Sequence, residues 1–557
     1  MKIILIFGWV CFTLAVSPEL AAQTKRIITN NSVSSKIIRS GSPAPNNPSA
    51  CSADTIILTT QAQIDNFSTT YPACTTPKYL FINGAGANPA ITNLNGLSSL
   101  TQIINKLMIS HTSITDLSAL SNLTQIGDTL QLDHNALMAS IGLNNLTYLG
   151  SIIFLDLPVL TSIDGLSNNI DSIGAVNIDS TALTNLNGLS GIVQITNGEF
   201  YGLRIAHTPI TNLSSLTNLS IINGYIILDD DTAITSIGLT NLTQCSGFLF
   251  ANVPNLTSIA NLSYNLSNTN ISTFWMINTG LTNMTGLDSL TSSSNFYIWG
   301  NSNLVSLNGL ENLTGNINGG ISIWNNNLLT NISALSNITS INDGTLEIHG
   351  NNLLSNFTGL GNITTIGKRL RIFENPNITT LNILNPSLVI LDSDNEGVEI
   401  HDNSQLSLCS FAPLCNYLNN AGTGDIHDNA PGCNSIAEIL ATCNACTSNL
   451  LKTWTGAIDA DWDITGNWSP AGTPASCDTV YIPSGLSNYP VVNSTKTIGG
   501  LIMESGSSLD LDNFSLINNG AVNIFDAAIS STNNSNSIIF RKATNPYIEN
   551  ATLSAVN

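Results

Sequence analysis

In the second half of this 557-residue chain, short alternating runs place aromatic or charged side chains at the same two positions again and again. The pairs are Trp275 and Ile277, Tyr297 and Trp299, Ser322 and Trp324, Glu347 and His349, Arg371 and Phe373, and Glu399 and His401. With the Leu and Ile of each run turned inward, these residues face solvent on one side of a sheet, on strands about 4.8 Å apart. That is binding chemistry: rings with a polar rim anchor interfaces, and flat rings also suit the apolar faces of sugars. The candidate ligand-binding residues are Trp275, Tyr297, Trp299, Trp324, Glu347, His349, Arg371, Phe373, Glu399 and His401. Matching positions earlier in the chain, such as Met108 and Ser110, Gln131 and Asp133, or Arg204 and Ala206, form an undistinguished mixture. Two plainer readings stand beside this one: a later domain folds over the rings, or the rings stack on one another as a ladder.

Catalysis finds little support. No Gly-x-Ser-x-Gly elbow with a partnered His is present, and paired catalytic carboxylates need a cleft that a flat sheet does not offer. His349 and His401 lie two strands apart, about 10 Å by strand spacing, too far to share a metal. Asp229-Asp230-Asp231 reads as a solvated turn in an acidic chain rather than a Ca²⁺ site. Cys443-Asn-Ala-Cys446 lacks the second Cys or His pair of a zinc site. No catalytic residue, metal or cofactor is therefore expected.

The elements that must position the aromatic residues are repeats. Ile91-Thr-Asn-Leu-Asn-Gly-Leu returns as Leu160-Thr-Ser-Ile-Asp-Gly-Leu, Leu183-Thr-Asn-Leu-Asn-Gly-Leu and Leu304-Val-Ser-Leu-Asn-Gly-Leu. Copies begin at Ile91, Ile114, Leu137, Leu160, Leu183, Ile210, Ile234, Leu256, Leu281, Leu304, Leu329, Leu354, Ile378 and Leu406. That period, roughly 23 to 25 residues, is the one expected of leucine-rich coils. A second run in each copy, such as Leu130-Gln-Leu132 or Val398-Glu-Ile400, has the period of a strand. Stacked coils align these runs into a parallel sheet, with Gly96, Gly165, Gly188, Gly286 and Gly309 supplying φ > 0 at corners. The fold class is all-β: a parallel β-solenoid with disulfide-bonded caps and a second β domain.

Composition sets the outer limits. The net charge of −21, with 9% charged residues, argues against nucleic acid or an anionic membrane as partner. Lys2, the apolar run Ile3 to Val16 and Ala21-Ala22 have the form of a secretory signal peptide, too short to span a bilayer. No later segment reads as a transmembrane helix. In an exported protein, Cys51, Cys74, Cys409, Cys415, Cys433, Cys443, Cys446 and Cys477 read as disulfide staples at the ends of the stack. Cys51 is expected to pair with Cys74, Cys446 with Cys477, and the four between among themselves. Cys245 stands where Asn122-Leu-Thr-Gln-Ile126 has an inward Ile, as a buried thiol.

The expected order is signal peptide 1–22, flexible leader 23–50, amino-terminal cap 51–90, about thirteen coils over 91–405, cysteine-rich cap 406–446 and a β-rich, solenoid-like domain 447–557, truncated in mid-pattern. The first cap should hold a strand at Thr55–Leu58 and one helical segment from Thr59 to Phe67; the second should hold two short helices.

Leu406-Ser-Leu-Cys409, Leu414-Cys415-Asn-Tyr417-Leu418, Ile426-His-Asp-Asn429-Ala-Pro-Gly432-Cys433-Asn434-Ser435 and Cys443, with the opening Ile64-Asp-Asn-Phe67 and Tyr71-Pro-Ala-Cys74, resemble the receptor L-domain-like proteins of secreted bacterial origin, mainly of the Bacteroidota. The resemblance spans about residues 51 to 446 and implies a right-handed leucine-rich solenoid on an exported or surface-attached protein, with no catalytic residues. The final domain is similar to modules that precede a secretion signal in that phylum, although no such signal follows before Asn557. The function expected is non-enzymatic extracellular binding or adhesion, with a protein or glycan partner and cell-envelope attachment. The alternatives are a secreted carbohydrate-active enzyme, which would show an acidic pair about 5 to 9 Å apart beside the aromatic residues, and a purely structural adhesin stalk.

Overall fold

The computed structural model describes Cys51 and residues 54–554, apart from 167–168, 197–200, 261, 263–270, 421, 445–449, 476, 519, 532–537 and 541–546. The expected signal peptide, leader and Cys446 lie outside the described residues.

Leu, Ile and Phe at alternate positions dictate the main element. Each coil lays one strand against the strand of the coil before it, and the result is a seventeen-stranded sheet with parallel pairing throughout. One inward column runs without a break through Leu107, Leu130, Ile152, Val176, Leu203, Ile226, Phe248, Phe274, Phe296, Ile321, Leu346 and Leu370. Like thus stacks on like, and every one of these side chains is buried. The opposite wall holds 3₁₀ turns and short parallel pairs, among them Ser172–Ile173 beside Gln194–Ile195 and Thr365–Ile366 beside Val389–Ile390. Between the walls one continuous apolar core runs from Cys51 to Cys443. At about 1.5–3 kcal/mol for each buried Leu or Ile, stability is spread along the axis.

Two details depart from the sequence reading. The third copy begins one residue later: Met138 is buried and Leu137 is 53% exposed. Only Gly286 and Gly309 of the five corner glycines have positive φ, at 113° and 107°. At Gly96 and Gly188 the constraint is space, because a Cβ would sit 1.9 Å from the carbonyl oxygen of Ile64 or Ile163 in the preceding coil.

The last seven strands of the large sheet are β1 (Ile271–Ile277), β2 (Ser293–Trp299), β3 (Ile321–Trp324), β4 (Leu346–His349), β5 (Leu370–Phe373), β6 (Val398–His401) and β7 (Gly424–His427). Each is followed by a residue at positive φ, in order Asn278, Gly300, Asn325, Gly350, Glu374, Asp402 and Asp428. Asn and Asp tolerate that conformation best among residues with a Cβ. The corner turns a buried asparagine ladder inward: Asn301, Asn326, Asn351, Asn375, Asn403 and Asn429. The backbone N–H of each rung donates to the next rung's Oδ1, and the side-chain Nδ2 donates to a carbonyl of an earlier coil. Buried corner amides are thereby satisfied.

Both ends of this stack are stapled. The single helix expected at the amino end is two short ones, α1 (Gln61–Asp65) and α2 (Phe67–Thr70), started by a Thr60–Gln63 capping box and divided at Asn66. Ile64 and Phe67 point into the core, and Cys51 bonds Cys74. At the other end are α3 (Ala412–Asn419) and α4 (Ile436–Asn444), held by Cys409–Cys433 and Cys415–Cys443. Cys245 is buried and free, with burial pushing its thiol up to about 12. Cys477 is disulfide-bonded.

The described residues of 450–554 form a second solenoid of one six-stranded and two three-stranded sheets, paired in parallel except where Thr453–Trp454 meets Trp468–Ser469 antiparallel, with its own core around Leu501, Leu509 and Leu516. Trp454, Trp462 and Trp468 close one part of it edge to face.

Candidate functional site

Parallel pairing brings the outward residues of β1–β7 into two columns. The first reads Trp275, Tyr297, Ser322, Glu347, Arg371, Glu399 and Asp425; the second reads Ile277, Trp299, Trp324, His349, Phe373, His401 and His427. Every candidate named from the sequence lies in one of them.

The second column is a ring stack. Centroid separations are 4.4 Å for Trp299–Trp324, 4.7 Å for Trp324–His349, 4.1 Å for His349–Phe373, 4.7 Å for Phe373–His401 and 4.8 Å for His401–His427. Apart from the 37° tilt at Trp324–His349, the planes lie within 15° of parallel. Ring faces therefore cover one another and edges point outward. This differs from the expected array of open faces: Trp324 and His349 are only 6% and 7% exposed. Strand spacing close to ring thickness produces that result, because identical positions on adjacent strands sit at stacking distance. The ladder alternative thus describes this column. Trp275 and Tyr297, at the top of the first column, meet edge to face at 5.3 Å, and with Trp299 they remain half-buried.

The first column continues as a charge ladder. Arg371 donates from Nε to Glu399 at 2.8 Å and from Nη1 to Glu347 at 2.5 Å, with its guanidinium carbon 5.4 Å from the Phe373 ring centroid. Ser322 donates to Glu347 at 3.1 Å. Arg369 makes a flanking network with Asp394 and Glu396. Burial, then the Arg371 charge and His401, lower the His349 pKa to about 3, so this imidazole is neutral. At His401 and His427 each Nδ1 meets the adjacent Asp402 or Asp428 carboxylate at 2.8 Å. The Asp428 hydrogen bond raises the His427 pKa.

Earlier on the same sheet edge the charges pair among themselves. Arg204 bridges Asp179 at 2.9 Å and Asp229 at 3.9 Å. Asp229-Asp230-Asp231 is no solvated turn, because its three carboxylates go to different places. Asp229 faces Arg204, Asp230 occupies the positive-φ corner, and Asp231 is fully buried as a ladder rung accepting from Thr208. Among the described residues, Asp133, His134 and Asp156 are the one group with ligand atoms close enough to share an ion. His134 already pairs through its two nitrogens with the two carboxylates, at 2.5 and 3.0 Å.

Sequence reasoning missed His427, the last ring of the stack, and the asparagine ladder behind it. Both were signalled by Glu399-Ile-His-Asp-Asn403 returning as Asp425-Ile-His-Asp-Asn429.

No protein-family model matches the chain, and no curated protein sequence matches it. Among solved structures the chain is similar to an internalin, InlF, from Listeria monocytogenes. The two share 20% identity with a TM-score of 0.33, over 60% of this chain and 81% of that one. It is also similar to the functional domain of InlJ from Listeria monocytogenes, which includes a cysteine ladder, at 17% identity with a TM-score of 0.27, over 76% of each chain. Among the described residues, no helix is long and apolar enough to cross a membrane.

Proposed function

We propose that this protein is a non-enzymatic, extracellular or surface-attached binding protein whose β1–β7 face engages a macromolecular partner. The observation that carries this reading is the unbroken strip from Trp275 and Tyr297 to His427. It concentrates aromatic and charged groups on one rigid sheet, whereas the corresponding positions of earlier coils are mixed. The disulfides agree with an oxidising compartment.

A carbohydrate-cleaving site fits poorly. Paired catalytic carboxyls must face the scissile bond and a water, and both Glu347 and Glu399 are instead engaged by Arg371.

The test is binding of the full chain to a panel of immobilised extracellular proteins and glycans, beside a Trp275→Ala/Trp299→Ala variant with unchanged far-UV circular dichroism. Loss of affinity by about tenfold or more is expected, the effect of removing central aromatic anchors. Unchanged affinity would move the site elsewhere.

A further inference from the structure

His349 sits in the middle of the ring stack, more than nine-tenths buried, and its Nδ1 has no hydrogen-bond partner. At the two later coils the corner residue after the histidine is Asp402 or Asp428, which meets Nδ1; after His349 it is Gly350. The His349 ring is neutral, and its Nε2 faces Glu347 Oε1 at 3.8 Å. A proton on Nε2 is favoured by that carboxylate, so Nδ1 is the accepting nitrogen and calls for an N–H donor. At the other end of the strip the Trp275 Nε1–H is a buried donor without a partner and calls for a carbonyl. A peptide backbone supplies both groups.

Charge narrows the partner further. Glu347 and Glu399 are held by Arg371, with Arg369 3.7 Å from Glu399, while Asp402 pairs with His401 and Asp425 and Asp428 pair with His427, so this surface carries more carboxylates than guanidinium groups. Glu374, Asp402, Asp425 and Asp428 are exposed. The stacked rings keep their faces against each other and offer edges, so the platform on which a sugar would lie flat is missing from the lower strip. Ring edges, which carry partial positive charge, instead suit carbonyl oxygens.

Resting on the reading of this strip as the binding face, we propose that its partner is a basic polypeptide segment rather than a glycan. Lys or Arg side chains of the segment meet Glu374, Asp402, Asp425 and Asp428, while its backbone runs along the ring edges towards Trp275.

The experiment is fluorescence anisotropy at near-physiological salt, with the full chain and three labelled probes: an alternating Lys-Ala peptide, its Glu-Ala counterpart and a neutral glucose hexasaccharide. One variant is Glu374→Gln/Asp402→Asn/Asp425→Asn/Asp428→Asn; Asn and Gln keep the corner conformations accessible. A matched control removes the same charge from exposed positions off the strip, as Asp65→Asn/Asp164→Asn/Glu311→Gln/Asp343→Asn. Selective binding of the Lys-Ala peptide is expected, weakened about tenfold or more by the strip variant and less than about twofold by the control. Equal weakening by both variants, or preference for the hexasaccharide, would overturn the assignment. If Trp275→Ala/Trp299→Ala abolishes binding to the panel while the four-carboxylate variant leaves it intact, the face stands and the basic partner falls. If neither matters, the face itself falls.

Discussion

Asp231 is the sharpest residue-scale consequence of the stack. It fills a rung that later coils give to Asn, and burial, offset by hydrogen bonds from Thr208, raises its carboxyl to about 6 from 3.8. A group that binds its proton more tightly when folded contributes fully below the unfolded pKa and loses that contribution as pH rises through the folded one. The shift from 3.8 to about 6 corresponds to about 3 kcal/mol lost between pH 4 and pH 7. Asp231→Asn is therefore expected to be more stable than the parent at pH 7.5, with the difference vanishing near pH 4. Urea midpoints at the two pH values measure it; a variant less stable than the parent at pH 7.5 would contradict the buried-carboxyl account. That the candidate residues share one face was legible in the sequence, because alternation alone fixes which side chains face out. The asparagine ladder was harder to read, since Asn also covers the surface of this chain, and only its recurrence at the corner after each strand separates the two roles.

At the scale of elements, the caps decide whether a one-dimensional stack frays. Cys51 and Cys74 close a loop of 23 residues, worth about 3 kcal/mol in the chain-entropy model. Cys51→Ser/Cys74→Ser should accelerate amide exchange in Thr55–Leu58, α1 and the first coils while leaving β1–β7 unchanged, because each coil contacts only its neighbours. Uniform acceleration along the chain would show instead that the solenoid unfolds as one unit. The repeat period made the coils visible beforehand, and the cysteine clusters marked the stapled ends. Two details failed for local reasons. Leu137 and Met138 are both apolar, so composition could not say which faced inward, and the Asn66 break between α1 and α2 carries no strong breaker. The aromatic column was read as open faces because alternation gives the side of the sheet and not the ring plane; only the spacing of paired strands turns neighbouring rings into a stack.

For the whole molecule, the long parallel sheet acts as a ruler that holds one chemically distinct segment, β1–β7, at fixed spacing. Stability and recognition are separable on such a scaffold: the inward columns carry the core, and the outward columns are free to carry a site. Trp324 and His349 belong partly to both, so their truncation should disturb neighbouring coils as well as binding, whereas exposed Glu374, Asp402, Asp425 and Asp428 should affect binding alone. The most direct test of the central claim is hydrogen–deuterium exchange on the full chain, free and saturated with the tightest binder from the protein and glycan panel. Protection confined to β1–β7 and the corners that follow them is the expected result. Protection on the opposite wall, or in the solenoid of residues 450–554, with β1–β7 unchanged, would contradict it.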